Sequence, residues 1–304
     1  MQRRYITVDV FTNRAFGGNP LAVVLDAGGL STAQMQAIAT EFNYSETTFV
    51  LPPADPANDA QVRIFTVNRE LPFAGHPNVG TAFVLATQAA TPPTRLLFEE
   101  GAGLVPVEIT SLQDQVVNTE FTAPQPLKRM SHLGAEQAAS CLSLSASDIK
   151  LDRHPPQIIS VGLSFLAVEL NSREALRRAR PDAAGFAKTF PCDGSDAVYL
   201  YTRDVPSGEK PCEMQARMFH PGVSGLSEDP ATGSATAACA ALLADLDPMK
   251  DGELKLVIGQ GVDMGRPSLL LTRVRKQNGA VSSIHVGGSS VQMMEGTFWL
   301  KGEG

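Results

Sequence analysis

Two stretches carry one motif, and their reading decides the fold: His76-Pro77-Asn78-Val79-Gly80-Thr81-Ala82 and Asp229-Pro230-Ala231-Thr232-Gly233-Ser234-Ala235. Aligned, they give [His/Asp]-Pro-x-x-Gly-[Thr/Ser]-Ala. Each opens a run of small and apolar residues, Phe83-Val84-Leu85-Ala86-Thr87 and Thr236-Ala237-Ala238-Cys239-Ala240. Upstream of each lies Arg-x-Phe, at Arg63-Ile64-Phe65 and at Arg217-Met218-Phe219. Chance matching of common residues is the plain alternative; the shared order and lead-in favour an internal duplication. An extended apolar lead-in followed by this pattern predicts a strand, a turn and a helix. Pro is tolerated at a helix start, where its missing N–H would have had no partner. Free N–H groups and the positive dipole end there suit a carboxylate or phosphate. One such start per half predicts an anionic site between two similar domains. The runs that follow are apolar on nearly every face, so each helix must be buried all round. Each is too short to cross a bilayer. A central helix wrapped by strands, once per half, is the expected architecture.

The 304 residues suffice for two domains with a substantial core. A formal net charge of −7 argues against non-specific nucleic-acid binding. It leaves an anionic small molecule open, because a site's local field can oppose the net charge. No apolar stretch has the length of a transmembrane helix, and Met1-Gln2-Arg3-Arg4-Tyr5 leads into a strand pattern with no signal-peptide core. Cys141, Cys192, Cys212 and Cys239 show neither a CxxC nor a metal spacing. Reduced thiols in a cytoplasmic protein are therefore expected.

Working outward from the motifs, Tyr5 to Phe11 alternates as a strand and Leu21 to Leu25 reads as a buried one. Gly17-Gly18-Asn19-Pro20 between them is either a plain turn or a ligand-facing loop. Ser31 and Gln34 predict a capping box for a helix whose Met35, Ile38, Ala39 and Phe42 share a face and which ends near Asn43-Tyr44. Ser45-Glu46 then leads into the strand Thr47 to Leu51. Glu46 is thus a carboxyl at a helix-to-strand handover, a solvated turn residue unless something else uses it. Pro106 demotes the strand around it to an edge or a bulge. Pro124-Gln125-Pro126 marks the interdomain crossing. Helices near 134–143 and 172–180, strands near 157–170 and 196–202, and a turn at Lys210-Pro211 build the second half. Many short strands around few helices imply an α+β fold of mainly antiparallel sheet.

The chemistry left open by the motifs is proton transfer by side chains. His76 is either a structural hydrogen-bonder or a site residue, and Asp229, standing before Pro230, is either a helix N-cap or a site residue. Thr81 and Ser234 either cap or donate to a bound carboxylate. No Gly-x-Ser-x-Gly elbow appears, and His76, His132, His154, His220 and His285 lack ligand spacing. The scattered histidines make a metal unexpected, and the absence of a dinucleotide fingerprint and a P-loop counts against nicotinamide or nucleotide use. A carboxyl such as Glu46 can take and return a proton when burial lifts its pKa toward neutrality.

Together, Asp9-Val10-Phe11-Thr12, Gly18-Asn19-Pro20-Leu21-Ala22-Val23-Val24, Asn43-Tyr44-Ser45-Glu46-Thr47, Glu70-Leu71-Pro72-Phe73-Ala74-Gly75-His76-Pro77 and Glu228 to Ala235 carry a resemblance. Gln260-Gly261 with Met264-Gly265-Arg266-Pro267-Ser268 extends it into the tail. The chain resembles the phenazine-biosynthesis PhzF family within the diaminopimelate epimerase-like superfamily. The resemblance implies two similar domains, each a barrel of mainly antiparallel strands around a central helix, usually in a homodimer. The division expected is 1–122, with strands from about 288–304 returning to it, and 123–287. It also implies a cofactor-free isomerase, with Glu46 as acid/base and His76 and Asp229 beside a small carboxylate. Ser45, Asn19, Ser234 and the backbone at Gly75 and Gly233 would hold that substrate. The family's best-understood reaction is isomerisation of trans-2,3-dihydro-3-hydroxyanthranilate. Superfamily epimerases instead use two facing cysteines, and the equivalent motifs here carry His76 and Asp229. Val67, Asn78 and His220 depart from the family pattern without touching the acid/base. Two alternatives stand beside this reading: an isomerase or epimerase of another amino- or hydroxy-acid, and a non-catalytic protein that holds a metabolite.

Overall fold

Alternation and helical periodicity resolve into a mixed-sheet α+β fold. The computed structural model describes residues 2–205, 212–220 and 228–300; the turn expected at Lys210-Pro211 lies outside them. The chain divides into two units, Met1–Pro124 with Gly287–Gly304, and Gln125–Val286.

The first unit runs β1 (Gln2–Val10), β2 (Asn19–Val24), α1 (Thr32–Phe42), β3 (Glu46–Leu51), β4 (Ala60–Phe65), β5 (Glu70–Leu71), α2 (Gly75–Gln88), β6 (Arg95–Glu100), β7 (Gly103–Leu112) and β8 (Gln115–Thr122). Ser31 and Gln34 make the expected capping box, and Asn43 ends α1 in the left-handed conformation, which Asn tolerates better than most residues. Helix α1 packs Met35, Ile38 and Ala39 against Val24, Phe49 and Phe65. Strand β1 pairs antiparallel with β2 and with β18 (Ser290–Trp299), contributed by the end of the chain. Strands β2 and β3 are parallel, β3 and β4 antiparallel, β4 and β6 parallel, and β6, β7 and β8 form an antiparallel meander. Helix α2 packs on β1, β2, β3, β7, β8 and β18, and every residue from Gly75 to Ala82 is buried. That burial is what an apolar helix with no polar face requires.

The second unit opens with β9 (Lys128–His132), α3 (Ala135–Cys141), β10 (Gln157–Ser160), β11 (Ser164–Glu169), α4 (Arg173–Arg178), α5 (Ala183–Thr189) and β12 (Val198–Thr202). It continues with β13 (Met214–Phe219), β14 (Glu228–Asp229), α6 (Gly233–Leu246), β15 (Gly252–Gln260), β16 (Ser268–Gln277) and β17 (Ala280–Gly288). Its pairing repeats that of the first unit: β10 and β11 antiparallel, β11 and β12 parallel, β12 and β13 antiparallel, β13 and β15 parallel, β15 and β16 antiparallel. Helix α6 packs on β10, β11, β15 and β16, and Gly233 to Ala244 are all buried.

The repeat is real in topology, but its register differs from the one the motif suggested. Phe65 pairs with Glu70, and Phe219 pairs with Glu228. Helices α2 and α6 are both 14 residues long and start at Gly75 and Gly233. The equivalent pairs are therefore Leu71 with Asp229, Gly75 with Gly233, and His76 with Ser234. Gly80 does not open a helix. It lies in the second turn of α2, where an added Cβ would come within 2.6 Å of Leu21 Cδ2 and 2.7 Å of Val10 Cγ2. Thr81 likewise sits beyond the first turn, sharing a hydrogen bond with the Thr48 hydroxyl at 2.9 Å. Small residues recur in both helices for close packing, and that recurrence produced the false alignment.

Pro106 lies in a strand paired on both flanks, yet at Pro106 itself only β6 pairs, because the ladder with β8 begins at Val107. A residue without an N–H fits that local edge. Helix α5 has no counterpart in the sequence reading; Asp182 caps it by accepting from Gly185 N–H at 2.7 Å.

Candidate functional site

In the first unit the starts of three elements converge. Residues of β2 and β3 are parallel neighbours, Leu21 beside Glu46, so Asn19 and Glu46 sit at the same end of the sheet. The second residue of α2, His76, comes to that end. His76 Nδ1 lies 3.3 Å from Asn19 Nδ2 and 3.5 Å from Glu46 Oε2. Ser45 Oγ donates to Asn19 Oδ1 at 3.3 Å. Asn19, Ser45 and His76 are buried, while the Glu46 side chain keeps 16% of its surface exposed. Four of the expected site residues, Glu46, His76, Asn19 and Ser45, are thus one cluster, with Gly75 adjacent in sequence.

Burial pushes the His76 pKa down to about 3, even though a hydrogen bond to the Pro20 carbonyl works in the other direction. His76 is neutral near pH 7, and its approach to Glu46 is not an ion pair. Nε2 is buried without a hydrogen-bond partner, so the Nδ1 edge makes the ring's contacts.

The second unit builds a different arrangement at the equivalent place. Asp229 ends β14, and Thr232, not Asp229, occupies the N-cap position of α6, without a side-chain cap bond. The N-cap alternative for Asp229 is therefore excluded. The Thr232 hydroxyl donates to Asp229 Oδ2. Gln260 closes the loop: its Nε2 donates to Asp229 O at 2.9 Å and to Thr232 Oγ1 at 3.1 Å, and its Oε1 accepts from Thr232 N–H at 3.1 Å. Ser268 Oγ donates to Pro230 O at 3.2 Å. Gly261, at φ +72°, lies so close to Pro230 that a Cβ would stand 2.6 Å from its carbonyl oxygen. Gly233 and Ser234 are buried in the first turn of α6. Thr232 and Gln260 escaped the sequence reading as site residues, although both lie inside quoted motifs; the signal was a hydroxyl three residues after the acid.

Cys239 lies fully buried inside α6, and burial pushes its thiol well up, so it stays protonated. Thiolate chemistry has no support there. Among the described residues, no group of three or more His, Cys, Asp and Glu side chains is placed to hold a metal ion. None of the described helices is long and apolar enough to cross a membrane.

Comparison with known proteins places the chain among isomerases. The model of the phenazine biosynthesis-like family matches residues 8–296, and the chain belongs to that PhzF family. An uncharacterized isomerase of Mesorhizobium japonicum is 38% identical, over 98% of this chain and 99% of its own. The trans-2,3-dihydro-3-hydroxyanthranilate isomerase of Pseudomonas aeruginosa is 36% identical, over 98% and 99%. In structure, a PhzF-family phenazine biosynthesis protein of Bacillus anthracis superposes with a TM-score of 0.87 at 24% identity, covering 99% of this chain and 100% of that one.

Proposed function

We propose that this isomerase converts trans-2,3-dihydro-3-hydroxyanthranilate, or a cyclic carboxylate of the same kind, without a cofactor and with Glu46 as its acid and base. The observation that carries the reading is the placement of the Glu46 carboxyl 3.5 Å from a buried, neutral His76. A neutral imidazole is not an ion-pair partner for the carboxylate, and in this reading Glu46 carries the substrate's proton. The carboxylate takes a proton from one ring carbon, leaving a delocalised substrate anion, and returns it at another. Nothing else is consumed. His76, neutral and beside Glu46, is the polar neighbour of the acid/base in this reading. In this reading Asp229 is a second catalytic residue, and Ser234 and the backbone N–H groups at Gly75 and Gly233 bind substrate.

The named activity of the Pseudomonas aeruginosa relative supports the substrate class. The repeated strand order around α2 and α6 supports reading each unit as a barrel about its helix, with domains near 1–122 plus 288–304 and 123–287. A cytoplasmic homodimer completes the proposal. Incubation with trans-2,3-dihydro-3-hydroxyanthranilate in deuterated water, followed by NMR, tests it. Isomerised product carrying one solvent deuteron is expected; unchanged substrate with no exchange contradicts it.

A further inference from the structure

The loop that carries Asp229 is wired more completely than the loop that carries its counterpart. Gln260 is fully buried, and its amide orientation is set by its partners: Oε1 must face the Thr232 N–H, because only an oxygen can accept there. Nε2 then donates one hydrogen to Asp229 O and one to Thr232 Oγ1. The Thr232 hydroxyl, already accepting from Gln260, directs its own proton to Asp229 Oδ2. The result is a one-way chain of donors from Gln260 through Thr232 to the Asp229 carboxylate. Thr232 is 7% exposed and Asp229 6%, so the chain is sheltered from water, where such bonds are stronger than at the surface.

The first unit is an internal control. Matching Phe65 with Phe219 makes Ala60 equivalent to Met214, and the parallel pairs Ala60 with Phe98 and Met214 with Ile258 then make Glu100 equivalent to Gln260. The positions of Asp229, Thr232 and Gln260 are held there by Leu71, Ala74 and Glu100. Acid, hydroxyl and amide are present together in one unit, and at the same three positions of the other no such chain can form. A general loop brace would be needed in both.

We infer that Thr232 is a positioning residue for the reaction, holding the Asp229 carboxylate in one orientation toward the substrate, with Gln260 fixing the direction of the Thr232 hydroxyl. This rests on the reading of Asp229 as a site acid. Thr232→Val keeps the side chain's shape and removes the donor. On trans-2,3-dihydro-3-hydroxyanthranilate, kcat should fall about tenfold or more with KM little changed, and Thr232→Ser should restore it. A general packing defect would not be rescued by the smaller hydroxyl. In urea, Thr232→Val and Asp229→Asn should combine non-additively, by about fivefold or more in the unfolding constant. Wild-type kcat in Thr232→Val, or an additive cycle, overturns the inference. Full turnover by Asp229→Asn overturns instead the reading of Asp229 as a site acid. Should the unsubstituted protein leave the compound unchanged, the substrate reading falls, and the urea cycle still decides whether Thr232 acts on Asp229.

Discussion

The same arginine–glutamate pair occurs once in each unit, in opposite surroundings. Arg63 meets Glu70 with both side chains partly exposed, and its guanidinium lies 5.2 Å above the Phe65 ring. Arg217 meets Glu228 through two bonds of 2.7 Å, lies 4.8 Å above Phe219, and is buried. It also donates to the carbonyls of Leu176 and Ala179, both at 2.9 Å, at the end of α4. One ancestral pair has thus stayed a surface bridge in the first unit and become the anchor of a helix end in the second. Duplication preserved the pairing order of the strands, while each unit assigned its buried polar positions to different work. The first keeps a histidine and a carboxyl, His76 and Glu100, where the second has the non-titrating Ser234 and Gln260; the second keeps an acid where the first has Leu71.

The largest effect should come from the arginine pairs. Glu228→Ala strands a buried guanidinium and should cost about 3–5 kcal/mol in urea unfolding, whereas Glu70→Ala should cost only about 0–1 kcal/mol. Equal losses would erase the contrast between the units.

The titrating positions come next, and their signs oppose. His76 has a folded pKa of about 3 against an ordinary value of 6.5, so between those limits the unfolded chain binds the extra proton. Its contribution is present above about pH 6.5 and is lost as pH falls toward 3. Glu100 differs: its stem is partly exposed, but both carboxyl oxygens are buried. Burial pushes its pKa well up, only partly offset by the nearby Asn78 side chain. Its contribution is complete below the ordinary carboxyl value of 4.5 and is lost as pH rises toward the folded value. In urea titrations across pH, His76→Gln should flatten the acid side of the stability curve and Glu100→Gln the side above pH 4.5. Ser234→Ala should change neither slope.

Smaller effects belong to the helix interiors. Gly80→Ala forces a methyl onto Leu21 and Val10, at a cost of about 1–3 kcal/mol. Its equivalent, Ala238, already carries that methyl, and Ala238→Gly should cost only about 1 kcal/mol. A stabilised Gly80→Ala protein, measured by thermal unfolding, would place the close approach elsewhere.

The elements most legible in the sequence were those decided locally. The Ser31–Gln34 box, the end of α1 at Asn43 and the burial of most of α2 and α6 follow from capping chemistry and from the absence of a polar face, although Phe83, Leu85, Thr87 and Gln88 of α2 keep some exposure. The cluster of Glu46, His76, Asn19 and Ser45 was legible only through the family resemblance; taken singly, Glu46 reads as a solvated turn carboxyl and Asn19 as part of a plain turn or a ligand-facing loop. Register was not legible, because it depends on which residue pairs with Phe65 and Phe219. Arg63 and Glu70 are seven residues apart, while Arg217 and Glu228 are eleven apart. That added length slid the small-residue matches out of phase. Gln260 and Glu100 were equally hidden: each is an ordinary polar residue at a strand end until the fold brings it to a loop distant in sequence. Helix α5 lacks a periodic apolar face, and only its Asp182 cap announces it.

The account stands on the carboxyl of Glu46 exchanging the substrate's proton. Measuring turnover and binding of trans-2,3-dihydro-3-hydroxyanthranilate by Glu46→Gln tests this most directly. A kcat lowered by about 10²–10⁴-fold or more, with binding kept, is the predicted result. Turnover within a few-fold of the unsubstituted enzyme would contradict it.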